Sequence, residues 1–324
     1  MRIAVLDDYQ ARARRLADWG ALGAEIQPSF FHEPIPAAQL AQTLADFEVL
    51  VLMRERTAFP RAVLERLPKL ELLVTTGMRN AAVDVPYLDE RGVVVAGTQL
   101  AGKPSGGLPS TVEVAWALIL ALTKRVTAED NALRAGHWQV DTPGNLAGAT
   151  LGLAGLGRLG GAMVAPARVF GMQPIAWSEN LTGARAAELG VEKVGRRELL
   201  ARSDVLSVHL VLSDRTRGLF GAQELALMKR NAVLINTSRG PIVDERALIE
   251  ALSSKRIAGA GLDVFDREPL PADHELLALD NTVLLPHLGY VSEDAFRAMY
   301  GQVVQDILAY LRGEPLRVIS GPQV

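Results

Sequence analysis

Leu151-Gly152-Leu153-Ala154-Gly155-Leu156-Gly157-Arg158-Leu159-Gly160 is the stretch on which the reading of this chain turns. Residues 150–154 are apolar or small and read as a buried strand. Three glycines follow at G-x-G-x-x-G spacing, and the segment from Gly161 to Phe170 is Ala-rich and helix-like. Strand, glycine turn and helix in that order distinguish a dinucleotide fingerprint from a chance glycine cluster. Gly155 permits the tight turn, Gly157 lets backbone approach a pyrophosphate, and Gly160 lets the helix pack on the strand. The N-terminus of that helix offers free N–H groups and a positive dipole end that suit an anion, and Arg158 and Leu159, between the second and third glycines, join the cofactor set.

The alternation continues on both sides. Upstream, strands are expected at 3–6, 49–53, 72–75 and 93–96, with helices at 37–45, 60–66 and 85–90. Downstream, strands are expected at 174–177, 205–209, 233–236, 258–263 and 282–285, with helices at 223–229, 244–253 and 292–311. Short apolar strands alternating with helices specify parallel sheets, so the fold class is α/β with two doubly wound sheets. A Gly/Pro/Ser-rich break, Ala101-Gly102-Lys103-Pro104-Ser105-Gly106-Gly107-Leu108-Pro109, separates the two series and reads as a domain crossing. From Ser110 one long helix is expected to about Ala135. It is apolar almost all round from Val112 to Leu122, which calls for burial between lobes or against a second subunit.

Composition narrows the function. The 324 residues suffice for two ordinary domains. Hydrophobic residues make up 49% and charged residues 22%, as in a globular enzyme. A net charge of −3 gives no reason to expect nucleic-acid or membrane binding. The absence of cysteine removes disulfides, thiolate metal sites and a Cys nucleophile, and fits a reducing cytoplasm. No metal site is expected. The opening Met1-Arg2-Ile3-Ala4-Val5-Leu6 is too short for a signal-peptide core and reads as a first strand.

Three further motifs fall just past expected strand ends: Asn236-Thr237-Ser238-Arg239-Gly240, Asp263-Val264-Phe265-Asp266-Arg267-Glu268-Pro269 and Pro286-His287-Leu288-Gly289. Ligands of open α/β sheets bind at that edge. Singly, an Arg after a strand is ordinarily a surface ion pair, and a Pro-His is ordinarily a turn. Together their chemistry is complementary. Arg239 can grip a carboxylate bidentately and polarise the neighbouring carbonyl. His287 can exchange a proton near neutral pH, and Glu268 can orient it and favour its protonated form. Those are the groups that reduction of a 2-oxo acid beside a nicotinamide requires.

With these motifs in order, the chain resembles the D-isomer-specific 2-hydroxyacid dehydrogenase family, which includes phosphoglycerate, hydroxypyruvate/glyoxylate and D-lactate dehydrogenases. The resemblance runs over nearly the whole chain and is weakest before Lys69. It implies a Rossmann NAD-binding domain, residues 101–290, inserted in a flavodoxin-like substrate domain, residues 1–100 and 291–324. It implies an Arg239–Glu268–His287 triad, a homodimer built on the helix after Ser110, and contacts of Asp263 and the Thr237 main chain with the nicotinamide carboxamide. His209 and Gly289 join the cofactor set. It further implies that a small 2-oxo or 2-hydroxy acid is held by main-chain N–H groups of the turn Thr75-Thr76-Gly77-Met78-Arg79-Asn80-Ala81-Ala82-Val83-Asp84; Arg54, at the end of the expected strand 49–53, should come out at the same ligand edge of the first sheet.

The departures are specific. Many members carry Asp after the second Rossmann strand for the adenosine ribose, where this chain has Ser178 followed by Glu179. NAD is favoured, since Glu179 would repel a 2′-phosphate, while NADP stays open. Val211 replaces the family's usual Pro after His209-Leu210, and Arg79 replaces the family's second glycine in the substrate turn. Arg54, Arg79 and Lys103 would give the substrate region positive character. A binding-module reading, an NAD(H)-sensing corepressor of the same fold, shares the triad, and turnover of 2-oxo acids separates it from the enzyme. Formate or phosphite oxidation on the same fold is a third reading.

Overall fold

Strongly apolar runs become strands buried on both faces, as parallel sheets demand. The computed structural model of the chain describes residues 1–99 and 108–320, so Lys103 lies outside the described residues. The chain divides into two compact units, Met1–Gly102 with Ser292–Val324, and Lys103–Val291.

In the first unit, β1 (Ile3–Val5), β2 (Ser29–Phe30), β3 (Val49–Leu52), β4 (Leu72–Thr75) and β5 (Val94–Gly97) form a parallel sheet in the order β5-β4-β3-β1-β2. This is the flavodoxin-like order. All four residues of each of β3, β4 and β5 are buried. The C-terminal strand, Val318–Ser320, adds antiparallel outside β5, with Val318 opposite Ala96. It was not expected from the sequence. The helix Glu293–Leu311 buries Phe296, Met299, Tyr300, Val303, Val304 and Ile307. Its buried Asp306 is paired with Arg317 at 2.8 Å, just ahead of the C-terminal strand.

In the second unit, β6 (Thr150–Ala154), β7 (Gln173–Trp177), β8 (Glu192–Lys193), β9 (Val205–Val208), β10 (Val233–Asn236), β11 (Gly259–Leu262) and β12 (Thr282–Leu284) are all parallel. Their order is β12-β11-β10-β9-β6-β7-β8, the dinucleotide-binding order with one further strand. The order reverses between β6 and β9, where such sheets take their ligand.

The long helix expected from Ser110 to Ala135 is two helices, Ser110–Thr123 and Val126–Arg134. Arg125 between them has φ 57, in the left-handed region, and its Nε meets Asp141 at 3.0 Å. Thr123 Oγ1 donates back to the Ile119 carbonyl at 2.7 Å, a local bond that competes with helix continuation. Within the single chain the first of these two helices is buried along one side. Val112, Ala115, Trp116, Leu118 and Ile119 are buried, while Val114 and Leu120 are half-buried and Ala117 is exposed. Gly261 admits the buried face, since a Cβ there would lie 2.9 Å from Leu118 Cβ.

Burial raises Asp306 to about 6, with Arg317 opposing the rise. Between its ordinary value and about 6, the folded chain keeps a proton that the unfolded chain has released. This group therefore costs stability as pH rises through that window. Removing a partner from a buried pair costs about 3–5 kcal/mol. We therefore expect Arg317→Met to lower unfolding free energy by about that much at about pH 8, and by less at about pH 5, where Asp306 is protonated. Denaturant titrations at the two pH values read this directly. An equal loss at both would show that the Asp306 charge is not what Arg317 offsets.

Candidate active site

The three glycines do three different things. Gly155 has φ +104, and a Cβ there would lie 2.6 Å from the His209 carbonyl oxygen. The turns after β6 and β9 thus touch at the reversal point. A Cβ on Gly160 would lie 2.0 Å from the Gly155 carbonyl oxygen, so the helix beginning at Arg158 closes onto its own turn. Gly157 is exposed, and a Cβ there meets nothing within 4 Å. Open space over the middle glycine, between two packed ones, is the cradle that a pyrophosphate needs. Arg158 is exposed, and Leu159 and Ser178 are half-buried.

Two buried polar atoms directly after β9 and β10 lack partners. His209 Nδ1 and Thr237 Oγ1 are shut off from solvent without a hydrogen bond. The other ring nitrogen of His209, Nε2, lies 2.9 Å from Ser207 Oγ. Burial pushes the ring down to about 4, so it is neutral at neutral pH. Orphaned buried polar groups are costly, and both belong to the set expected to line a dinucleotide. The residues present fit that cofactor.

The loops after β10, β11 and β12 carry Arg239, Glu268 and His287. Gly240 brings the first two loops into backbone contact, since a Cβ there would lie 2.1 Å from the Phe265 carbonyl carbon. Asn236 ties its own turn, donating to the Arg239 carbonyl and accepting from the Ser238 N–H, both at 3.0 Å. Glu268 Oε1 accepts from the Phe265 N–H at 3.0 Å. Its Oε2 accepts from His287 Nδ1 at 2.7 Å, the short length of a charge-assisted bond. Burial raises the Glu268 carboxyl, but the His287 hydrogen bond and charge, the Phe265 N–H and the Arg239 charge outweigh it. The group therefore sits below its ordinary value.

His287 has φ 55, a conformation that costs a residue of its size free energy. Asp263 holds it there. Its two oxygens accept the Leu288 N–H at 2.6 Å and the Gly289 N–H at 2.8 Å. Gly289 is pinned again by Thr111 Oγ1, which donates to its carbonyl at 2.7 Å. Burial pushes the Asp263 carboxyl up to about 6, against the pull of those two N–H groups. Asp263 thus has a structural task that sequence reading did not give it. The motif signals located Asp263 and Gly289, but none pointed to Ser207 or gave Thr111 a place in the site.

In the first unit the residues expected to hold substrate follow β3 and β4. The Arg54 N–H donates to Thr76 Oγ1 at 2.9 Å, and its guanidinium reaches the Thr76 carbonyl at 3.3 Å. A Cβ on Gly77 would lie 2.7 Å from that guanidinium, so Arg54, Thr76 and Gly77 form one packed group. Met78 and Arg79 are exposed beyond it. Asn80, quoted in the sequence only as a member of the turn, locks it. Its Nδ2 donates to the Arg54 carbonyl at 2.7 Å and to Thr75 Oγ1 at 3.0 Å.

Residues 116–289 match the family model for the D-isomer specific 2-hydroxyacid dehydrogenase NAD binding domain. The chain therefore belongs to the D-isomer-specific 2-hydroxyacid dehydrogenase family. It is 36% identical over 289 residues to the glyoxylate reductase of Thermococcus litoralis, covering 86% of this chain and 85% of that one. It is likewise 36% identical over 279 residues to the D-3-phosphoglycerate dehydrogenase of Methanocaldococcus jannaschii, covering 85% of this chain but 52% of that longer protein. The crystal structure of phosphoglycerate oxidoreductase from Vibrio cholerae O395 superimposes with a TM-score of 0.89 at 33% identity, over 97% of this chain and 99% of that one. The protein is an NAD-linked oxidoreductase of the hydroxy-acid class. Relatives that are reductases and dehydrogenases do not favour the corepressor reading. No helix among the described residues is long and apolar enough to cross a membrane.

Gly157 and Gly160 separate cofactor binding from folding. Gly157→Ala adds a methyl to open space, so thermal stability should hold while the NADH dissociation constant rises about tenfold, roughly 1.4 kcal/mol. Gly160→Ala drives a methyl into backbone and should lower stability by about 1–3 kcal/mol or more. NADH fluorescence titration and thermal melts of both variants distinguish the two roles. The reverse pattern would remove the assignment of the middle glycine to the cofactor.

Proposed function

We propose that the protein reduces a small 2-oxo acid to its D-2-hydroxy acid, with Arg239, Glu268 and His287 as the chemical groups. The observation that carries this is the 2.7 Å bond from His287 Nδ1 to Glu268 Oε2, in a loop set that also holds Arg239. NADH supplies the hydride for the carbonyl carbon. Arg239 pairs with the carboxylate and draws electron density from the adjoining carbonyl. His287 delivers a proton from Nε2 to the carbonyl oxygen as charge develops there. Glu268, ionised at neutral pH, accepts the Nδ1 hydrogen and stabilises the imidazolium. One oxo acid, one NADH and one proton give one hydroxy acid and one NAD.

Gly155, Gly157, Arg158, Leu159, Gly160, Ser178, His209, Thr237, Asp263 and Gly289 make up the proposed cofactor set. The exposed Glu179 beside Ser178 favours NAD over NADP. Thr76, Gly77, Met78, Arg79 and Arg54 make up the proposed substrate set. The positive charge of Arg54 and Arg79 suits an anion and would favour substrates carrying a second acidic group. A reducing cytoplasm is the proposed location.

A homodimer is the proposed assembly. The helix Val126–Arg134 has no buried residue. Val126, Leu133, Val140 and, at 76% exposure, Trp138 present apolar surface of the kind monomers rarely leave open. Sedimentation should give twice the 34.9 kDa chain mass, and Trp138→Glu should shift it to the single chain. A wild-type monomer would remove the dimer.

His287→Gln should lower kcat for glyoxylate reduction by about 10²–10⁴ while changing NADH affinity less than about twofold. Stopped-flow reduction and NADH titration measure the two separately. Parallel losses in both would make His287 a structural residue.

A further inference from the structure

The turn after β4 spends its backbone donors unevenly. The Thr76 N–H donates to the Leu52 carbonyl at 2.9 Å. The Gly77 N–H donates to Thr98 Oγ1 at 3.0 Å. Among the described residues, no acceptor takes the N–H groups of Met78 and Arg79. Two successive N–H groups without an acceptor, next to a glycine at φ +129, are backbone donors available to an anion. They are the pair left for a carboxylate.

The orientation of that pair depends on how the Gly77 peptide is fixed. Thr98 stands directly after β5 and is 1% exposed. Its own N–H donates to the Thr75 carbonyl at 3.0 Å, and its hydroxyl accepts from Gly77. One buried residue therefore grips the turn at both ends of the Thr75–Gly77 segment. Gly97 beside it allows this approach, since a Cβ there would lie 2.4 Å from the Gly77 carbonyl oxygen. Without the hydroxyl, the Gly77 N–H would be buried without a partner. A peptide in that state rotates to find water or takes the carboxylate itself, and either change re-aims the two donors beyond it.

We propose that Thr98 is a positioning residue for substrate: by taking up the Gly77 N–H, its hydroxyl leaves the Met78 and Arg79 N–H groups as the donors that meet the substrate carboxylate. This rests on the reading of the turn as the acid-binding segment of a 2-oxo acid reductase. Thr98 touches no substrate. It acts through the turn, so its loss is expected to weaken carboxylate binding and leave cofactor binding alone.

The test uses the full chain labelled with ¹⁵N and the unreactive oxo-acid analogue oxamate, with NADH present. In the wild type, oxamate should move the amide resonances of Met78 and Arg79 downfield while Gly77 stays near its free position. In Thr98→Val the oxamate dissociation constant should rise about tenfold, with that of NADH changed less than about twofold. Thr98→Ser, which keeps the hydroxyl, should bind oxamate within about threefold of the wild type. The proposal is overturned if Gly77 is the amide that responds, if neither Met78 nor Arg79 responds, or if Thr98→Val binds oxamate as the wild type does. It is equally overturned if Thr98→Val weakens NADH to the same degree. Should Thr98→Val fail to fold, the wild-type shifts and the Thr98→Ser affinity decide. A wild type that binds oxamate through Met78 and Arg79 but reduces no oxo acid would contradict the hydride-transfer reading and leave the role of Thr98 standing.

Discussion

The hydrogen bond from His287 Nδ1 to Glu268 Oε2 is the interaction that the second unit is built to hold. Three consecutive parallel strands, β10 to β12, deliver Arg239, Glu268 and His287 to the same edge of one sheet. Backbone contact at Gly240 fixes the first loop to the second. The Phe265 N–H fixes Glu268 within its own loop. Asp263 then clamps the third loop through Leu288 and Gly289. Each clamp engages backbone, the first by close packing and the other two by hydrogen bonds, so the imidazole is set by rigid neighbours rather than by its own rotamer preference. That is how a functional geometry is kept within a fraction of an ångström.

This arrangement costs stability. His287 sits in the left-handed region, and burial raises Asp263 to about 6. Both costs fall at the site where proton transfer is proposed to occur, one on the loop after β12 and one on the residue after β11 that clamps it. The neighbouring strands β10 and β11, buried at every residue, supply the surplus that tolerates such strain. Glu268 is the exception among these acids. Its partners outweigh its burial and keep it ionised, which is the state a hydrogen-bond acceptor for an imidazolium requires. Two carboxylates in one loop region are thus set apart by their surroundings, one by two backbone donors and burial, the other by a cation and an imidazole.

Much of this was legible in the sequence, because the relevant signals are local. The glycine spacing from Gly155 to Gly160 encodes backbone conformations within six residues, and the three later motifs each follow an apolar strand directly. What the sequence concealed depends on partners far away along the chain. The C-terminal strand is three residues long and exists because β5 offers it an edge. The two-residue strands β2 and β8 carry too little pattern to be seen. The break at Arg125 follows from a side chain bonding back to its own helix and an ion pair to Asp141, which helix propensity does not register. Thr98, Asn80, Thr111 and Ser207 are small polar residues of common type, and only their contacts give them meaning. Asp263 was expected to serve the cofactor, and its two bonds to the His287 loop came from tertiary structure alone.

If His287 and Glu268 work as one device, their substitutions cannot add. A double-mutant cycle in kcat for glyoxylate reduction, using Glu268→Gln, His287→Gln and the pair, measures this. The double variant is expected to be no slower than His287→Gln alone, because Glu268 has nothing to orient once the imidazole is gone. Losses that multiply, each residue costing its full factor in the absence of the other, would contradict it.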